Sequence, residues 1–153
     1  MSRRAQIRMT DAEVRDFLAE QRTLQVASIN RDGTPHLVAM WYGLIDDDIV
    51  FWTYGKSQKI ANLRRDPRIT CLVESGSKYE ELKGVAITGI GKISDDRDFV
   101  QRVGAVVFPR YNEGEIDENV RAVLQRMGAK RVAVTIEPSK IVSWDHTKLG
   151  GTY

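Results

Sequence analysis

The spacing of apolar residues changes several times along the chain, and each change marks a new element. Thr10-Asp11-Ala12-Glu13 has the form of a capping box, in which a hydroxyl and a carboxylate satisfy free amides at a helix start. Val14, Phe17 and Leu18 follow at helical spacing, which predicts an amphipathic helix over residues 10–22. Leu24 to Ile29, rich in β-branched and aliphatic residues, reads as a strand. Asn30 to Gly33 supplies a turn, and Pro35 to Leu44 is the returning strand, with proline confined to its first positions. Asp46-Asp47-Asp48 then leads into a third strand, Ile49 to Tyr54. Ser57 to Arg65 carries Ile60 and Leu63 on one face and is stopped by Asp66-Pro67, so it is a short helix between strands.

Arg68 to Glu74 and Gly84 to Ile93 are two further strands, joined by a polar loop containing Gly76 and Ser77. Phe99, Val103 and Val107 mark one later helix; Val120, Val123, Leu124 and Met127 mark another. Two closing strands are expected at Arg131 to Glu137 and Lys140 to Trp144, separated by Pro138. Strands joined mostly by hairpins, with helices inserted late, indicate a mainly antiparallel α+β domain. Residues 1–9 form an N-terminal arm, and residues 10–153 a single domain.

Bulk properties narrow the function. The chain has 153 residues, 42% hydrophobic and 29% charged, as expected of an ordinary globular domain. A net charge of +2 gives no basic stripe for nucleic acid, and Arg3, Arg4 and Arg8 read as a solvated arm. Cys71 is the single cysteine, so an intrachain disulfide or a cysteine zinc cluster cannot form; its apolar setting reads as core. No apolar run is long enough to cross a membrane, and residues 1–10 lack the apolar segment of a signal peptide. A cytoplasmic location is therefore expected.

The most informative local feature is Thr53-Tyr54-Gly55-Lys56-Ser57-Gln58-Lys59. A strand ends, a glycine relaxes the backbone, and Ser57 stands at the expected N-cap of a helix. Helix starts present free amides and a partial positive charge that suit a phosphate, and Lys56 and Lys59 add full charges nearby. Spacing alone leaves an alternative, a capped helix with two solvated lysines, Lys59 included. Trp41, Tyr42, Phe51, Trp52 and Tyr54 cluster beside this segment. Alternation puts Phe51 and Thr53 on one face of their strand and Trp52 and Tyr54 on the other. One face must line the core, so most of these rings are packing, which leaves the other side for a planar ring. Asp46 to Asp48 lack a calcium-loop spacing or a nearby histidine and read as a solvated hairpin, with no metal site expected. Ser143-Trp144-Asp145-His146 holds the residue types of a hydrolase triad, but neighbours on a strand point to opposite faces.

With those residues in view, the sequence resembles the pyridoxamine 5′-phosphate oxidase-like split-barrel superfamily. Phe51-Trp52-Thr53, Ser57, Lys59 and Leu63 match the flavin-site stretch of those oxidases in register, with Gln58 replacing an arginine. Asn62-Leu63-Arg64-Arg65-Asp66-Pro67-Arg68 looks closer to the actinobacterial flavin/deazaflavin oxidoreductases of the B group. Asp32-Gly33-Thr34-Pro35-His36 and the Ser143-Trp144-Asp145-His146 stretch look like that group too. The similarity runs from Thr10 to Gly151.

The resemblance implies a homodimeric split β-barrel with flanking helices, its cofactor at the dimer interface. Carried over by position, Leu37, Val38 and Ala39 face or flank the cofactor ring, and Trp52 and Thr53 lie in the matching strand. Thr53, Ser57 and Lys59 hold the phosphate end. Lys56 joins them on charge and position alone. Trp144 reaches the cofactor from the other subunit, and Lys148 stands near the place of a basic partner in the oxidases. The absent arginine at Gln58 and the missing C-terminal Arg-x-His stretch argue against vitamin B6 oxidation. The expected activity is reduction of a conjugated small molecule with coenzyme F420. An FMN-dependent oxidoreductase and a non-catalytic flavin or deazaflavin carrier are the alternatives. No acid–base residue stands out, because the hydride chemistry belongs to such a cofactor.

Overall fold

A computed structural model describes residues 1–151. It contains five helices and seven strands. They are α1 (Arg3–Gln6), α2 (Asp11–Glu20), β1 (Leu24–Ile29), β2 (Pro35–Met40), β3 (Gly43–Ile45), β4 (Asp48–Tyr54) and α3 (Gln58–Arg65). Then come β5 (Arg68–Ser75), β6 (Lys83–Ser94), α4 (Arg97–Tyr111), α5 (Glu118–Gly128) and β7 (Arg131–Asp145). All strand pairings are antiparallel, in the order β2-β1-β5-β6-β7-β4-β3. The sheet curls into a half-barrel, giving the α+β split-barrel architecture.

Alternation along the strands fills two cores. Leu24, Val26, Phe51, Ile69, Val73, Val85 and Val134 point into the barrel, where Phe17 and Leu18 of α2 and Ile60 and Leu63 of α3 meet them. The opposite face of β4 and β7, carrying Val50, Trp52 and Ala133, is covered by Val100, Val103 and Val107 of α4 and Leu124 of α5. β4 is thus buried on both faces from Ile49 to Thr53, although sequence alternation leaves one face available for a ligand. The later helices occupy that face.

Four boundaries differ from the sequence expectation. The capping box holds, with Thr10 and Glu13 exchanging bonds, but α2 ends at Glu20. The return strand 35–44 breaks at Trp41-Tyr42, because the Tyr42 amide donates to Tyr111 Oη at 3.0 Å and the Tyr42 hydroxyl donates to the Leu18 carbonyl. Two closing strands prove to be one, β7. Pro138 sits in the ladder opposite Gly89, and a register shift between Thr88 and Gly89 absorbs the amide that proline cannot offer. The arginines of the arm, Arg3, Arg4 and Arg8, are exposed as expected, but the arm is ordered: Arg3–Gln6 forms one helical turn, Met9 enters the core, and the Asp145 amide donates to the Ile7 carbonyl at 2.7 Å. Asp46 and Asp47 make the expected hairpin turn, with φ of 51° and 68°. No helix among the described residues is long and apolar enough to cross a membrane.

Candidate functional site

Thr53 is the last inward-facing residue of β4, and the chain turns at once into α3. The Gly55 amide donates to the Lys130 carbonyl at 2.9 Å and the Ser57 amide to Tyr54 at 3.0 Å, so the turn is fixed by backbone bonds. Lys59, one residue inside α3, folds back and donates from Nζ to Thr53 Oγ1 at 3.0 Å. It is only 9% exposed, not a solvated lysine, and no carboxylate pairs with it among the described residues. Burial, and secondarily the charge of Arg131, hold its amine below the ordinary lysine pKa. The first-turn amides of α3 have no acceptor within the helix. Ser57 occupies the N-cap position yet makes no capping bond; its Oγ is buried and unpartnered. The expected serine cap is absent, which leaves that oxygen free for a ligand.

Asn62 holds this segment in place, and sequence reasoning gave it no role. Fully buried, it donates to Ser28 Oγ at 3.1 Å and Asn30 Oδ1 at 2.9 Å, and accepts from Gln58 Nε2 at 2.8 Å and Arg65 Nη2 at 3.2 Å. These bonds tie α3 to β1 and the β1–β2 turn. A signal was present: Asn62 lies three residues after Lys59, on the same face of α3. Arg131, opposite Tyr54 in the ladder, lays its guanidinium 4.7 Å from the Tyr54 ring and 5.0 Å from the Trp52 ring, and donates to the Met127 carbonyl.

The other expected site residues fall into two groups. Leu37 and Ala39 face outward on the edge strand β2, Leu37 being 66% exposed, in line with Trp41 at 57%, whose ring stacks on Tyr111 at 4.3 Å. Val38 points the other way, toward the barrel core. Trp52 is also turned from a ligand: Gly104 and Gly128 admit its ring so closely that a Cβ would meet it at 2.5 and 3.3 Å. Lys56 is exposed at the turn. Trp144 and Lys148 lie elsewhere. Trp144 is twelve residues along β7 from Val132, the ladder partner of Thr53, which is about 40 Å of strand. It covers Gly84, where a Cβ would sit 2.1 Å from the ring. The Lys148 ammonium is engaged with Glu13 at 2.6 Å and the Arg8 carbonyl at 2.9 Å. One chain therefore does not bring Trp144 and Lys148 to Lys59.

The three triad-type residues are likewise spoken for. Ser143 Oγ accepts from the Met9 amide, Asp145 caps Thr147, and His146 Nδ1 lies 2.8 Å from the Tyr79 carbonyl. No group of three or more metal-ligating side chains occurs among the described residues.

A family model described as pyridoxamine 5′-phosphate oxidase matches residues 10–145, which spans the barrel from the capping box to the end of β7. The chain belongs to this family. A conserved hypothetical protein from Mycobacterium tuberculosis is 42% identical, with a TM-score of 0.94, over 100% of this chain and 95% of that one. Two more distant structures share the fold of the family. One is an F420 reductase, 21% identical, with a TM-score of 0.60 over 82% of this chain and 93% of that chain. The other is an FAD-binding protein from Mesorhizobium loti, 19% identical, with a TM-score of 0.64 over 88% and 94%. A search of curated proteins gives no match. Family membership makes a flavin-type cofactor the first ligand to test against the Lys59 site.

Proposed function

We propose that this protein is an F420-dependent oxidoreductase, a reductase that passes hydride from the reduced deazaflavin to a conjugated organic substrate. The observation that carries the reading is the buried ammonium of Lys59, without a counter-ion among the described residues, beside an unpartnered Ser57 hydroxyl at the start of α3. A buried cation left unpaired is costly, and the natural occupant of such a place is an oxyanion. The donor set fits a phosphate: an ammonium, a hydroxyl and free helix amides. Thr53 positions Lys59, and Lys56 adds charge at the rim. The cofactor supplies hydride transfer when bound, and the residues of this chain bind it, orient it and exclude water.

Leu37 and Ala39 offer a flat apolar strip for the ring system, and Trp144 completes the site from a second copy of the chain. The separation of Trp144 from Lys59 within one chain supports a shared site, as does the row of exposed apolar residues on β2. FMN is the second candidate, favoured by the family itself; Gln58 lowers its rank, since an amide does not replace the bidentate arginine of the oxidases. Fluorescence titration with F420 and FMN at one salt concentration separates the two, and tighter FMN binding overturns the F420 assignment. Turnover of enones or quinones with reduced cofactor separates an enzyme from a carrier. Mixing Lys59→Ala and Trp144→Ala chains tests the shared site, since each heterodimer regains one intact site; no recovery in proven heterodimers refutes it.

A further inference from the structure

Among the described residues, three buried side-chain polar atoms have no hydrogen-bond partner: Ser57 Oγ, His36 Nδ1 and Arg110 Nε. Arg110 is accounted for, because its other nitrogens donate to the Leu18, Ala19 and Gln21 carbonyls at the end of α2. The remaining two flank the same start of α3. His36 stands opposite Ser28 in the β1–β2 ladder, and with Asn30, Arg31, Asp32 and Gln58 it lines a shallow depression. Gln58 is the first residue of α3, between Ser57 and Lys59, so the depression is contiguous with the phosphate-holding segment.

The charges around His36 favour an anion. From the turn, Arg31 makes no hydrogen bond or ion pair with any described residue. From α3, Arg65 donates to the Ile29 carbonyl and to Asn62, and Lys59 carries its uncompensated charge. Among the residues lining the depression the opposing group is Asp32, whose Oδ1 accepts from the Thr34 hydroxyl at 2.6 Å and the Thr34 amide at 3.0 Å. Those bonds hold its pKa below the usual carboxylate range, so it stays ionised but turned to its own turn.

We infer that His36, Arg31 and Gln58 form a second subsite for an anionic group, a phosphate or carboxylate, carried by the same ligand whose phosphate lies at Lys59. This rests on the anion reading of the Lys59 site. The guanidinium fork of Arg31 supplies charge and two parallel donors, and His36 Nδ1 adds a hydrogen-bonding atom that has no partner among the described residues.

The test uses phosphate, pyrophosphate and tripolyphosphate as probes in calorimetric titrations at constant ionic strength. Tripolyphosphate should bind about tenfold or more tightly than phosphate, the gain of one charge-assisted hydrogen bond. Arg31→Ala and His36→Phe should each lose about tenfold for tripolyphosphate while holding phosphate within about twofold. Arg102→Ala, which removes an exposed cation of α4, should change neither. If both variants keep the tripolyphosphate affinity, or Arg102→Ala loses as much, the subsite is refuted. If phosphate itself fails to bind, or binds Lys59→Ala equally well, the underlying anion reading falls instead. Arg31 is exposed and its removal leaves the fold intact, so it decides the matter alone should His36→Phe not fold.

Discussion

Replacing Lys59 by methionine should make the ligand-free protein more stable and the ligand-bound protein less so. Methionine keeps the apolar stem in its place against the barrel. What is lost is one hydrogen bond, Nζ to Thr53 Oγ1 at 3.0 Å, from a charged donor and worth about 1.5–3 kcal/mol, including the cost of leaving the buried Thr53 hydroxyl unpaired. What is removed is the desolvation of an ammonium in a residue only 9% exposed, with no carboxylate to offset it, a cost of roughly several kcal/mol. The balance favours the variant by about 1 kcal/mol, or roughly 2–4 °C in Tm for a chain of this size. Saturating ligand reverses the order. At a hundred times its Kd a ligand adds about 2.7 kcal/mol to the wild type, and little to a variant that has lost its anchor.

The pH dependence carries the same signature. The folded-state pKa of Lys59 lies below the 10.5 of an ordinary lysine, first through burial and then through the Arg131 charge. Between the two values the unfolded chain binds more protons, so this group makes ligand-free stability rise with pH across that window. Its cost is fully present below the folded pKa. The advantage of Lys59→Met should therefore shrink as the pH climbs toward 10.5. Calorimetric melts of both proteins, with and without the cofactor, read all of this. A ligand-free variant that melts well below wild type, or an equal ligand-induced shift in both, would refute the argument.

Other perturbations test the frame around the site. Asn62→Leu should cost about 2–4 kcal/mol in chemical denaturation, because it leaves the buried Ser28 hydroxyl and the half-buried Asn30 side chain without their partner and frees the Gln58 side chain; a neutral result means the network does not hold α3. Gly104→Ala gains about 1 kcal/mol of helix propensity, but its Cβ would stand 2.5 Å from the Trp52 ring, so a net loss of about 1–3 kcal/mol is expected from the same measurement. The Cys71 thiol is buried and its pKa is pushed up to about 12, so iodoacetamide at pH 8 should leave the native protein unlabelled and modify it once unfolded; rapid native labelling would contradict that burial.

Much of this architecture was legible in the chain, because its local signals agree with its tertiary fate. Thr10 and Glu13 specify a helix start by their own bonds, Asp46 and Asp47 a hairpin, and Asp66-Pro67 the end of α3. The segment from Thr53 to Lys59 drew attention for the same reason: strand, glycine and helix start are all encoded locally. Long-range packing decided the rest. Alternation separates Trp52 from Thr53 but does not say which face of β4 the helices α4 and α5 will cover, since that depends on residues far along the chain, from Val100 to Leu124. Pro138 looks like a break from its own chemistry; only the shift at Gly89 on the neighbouring strand lets β7 continue. Lysine is a surface residue by default, and the burial of Lys59 follows from the fold of α3 over the barrel end. His36 and Asn62 are ordinary polar residues in sequence. The ladder between β1 and β2, and the seating of α3 upon it, satisfy Asn62 completely and leave His36 Nδ1 without a partner. A side chain's hydrogen-bond balance belongs to its neighbours in space, and those neighbours are fixed only when the sheet has curled.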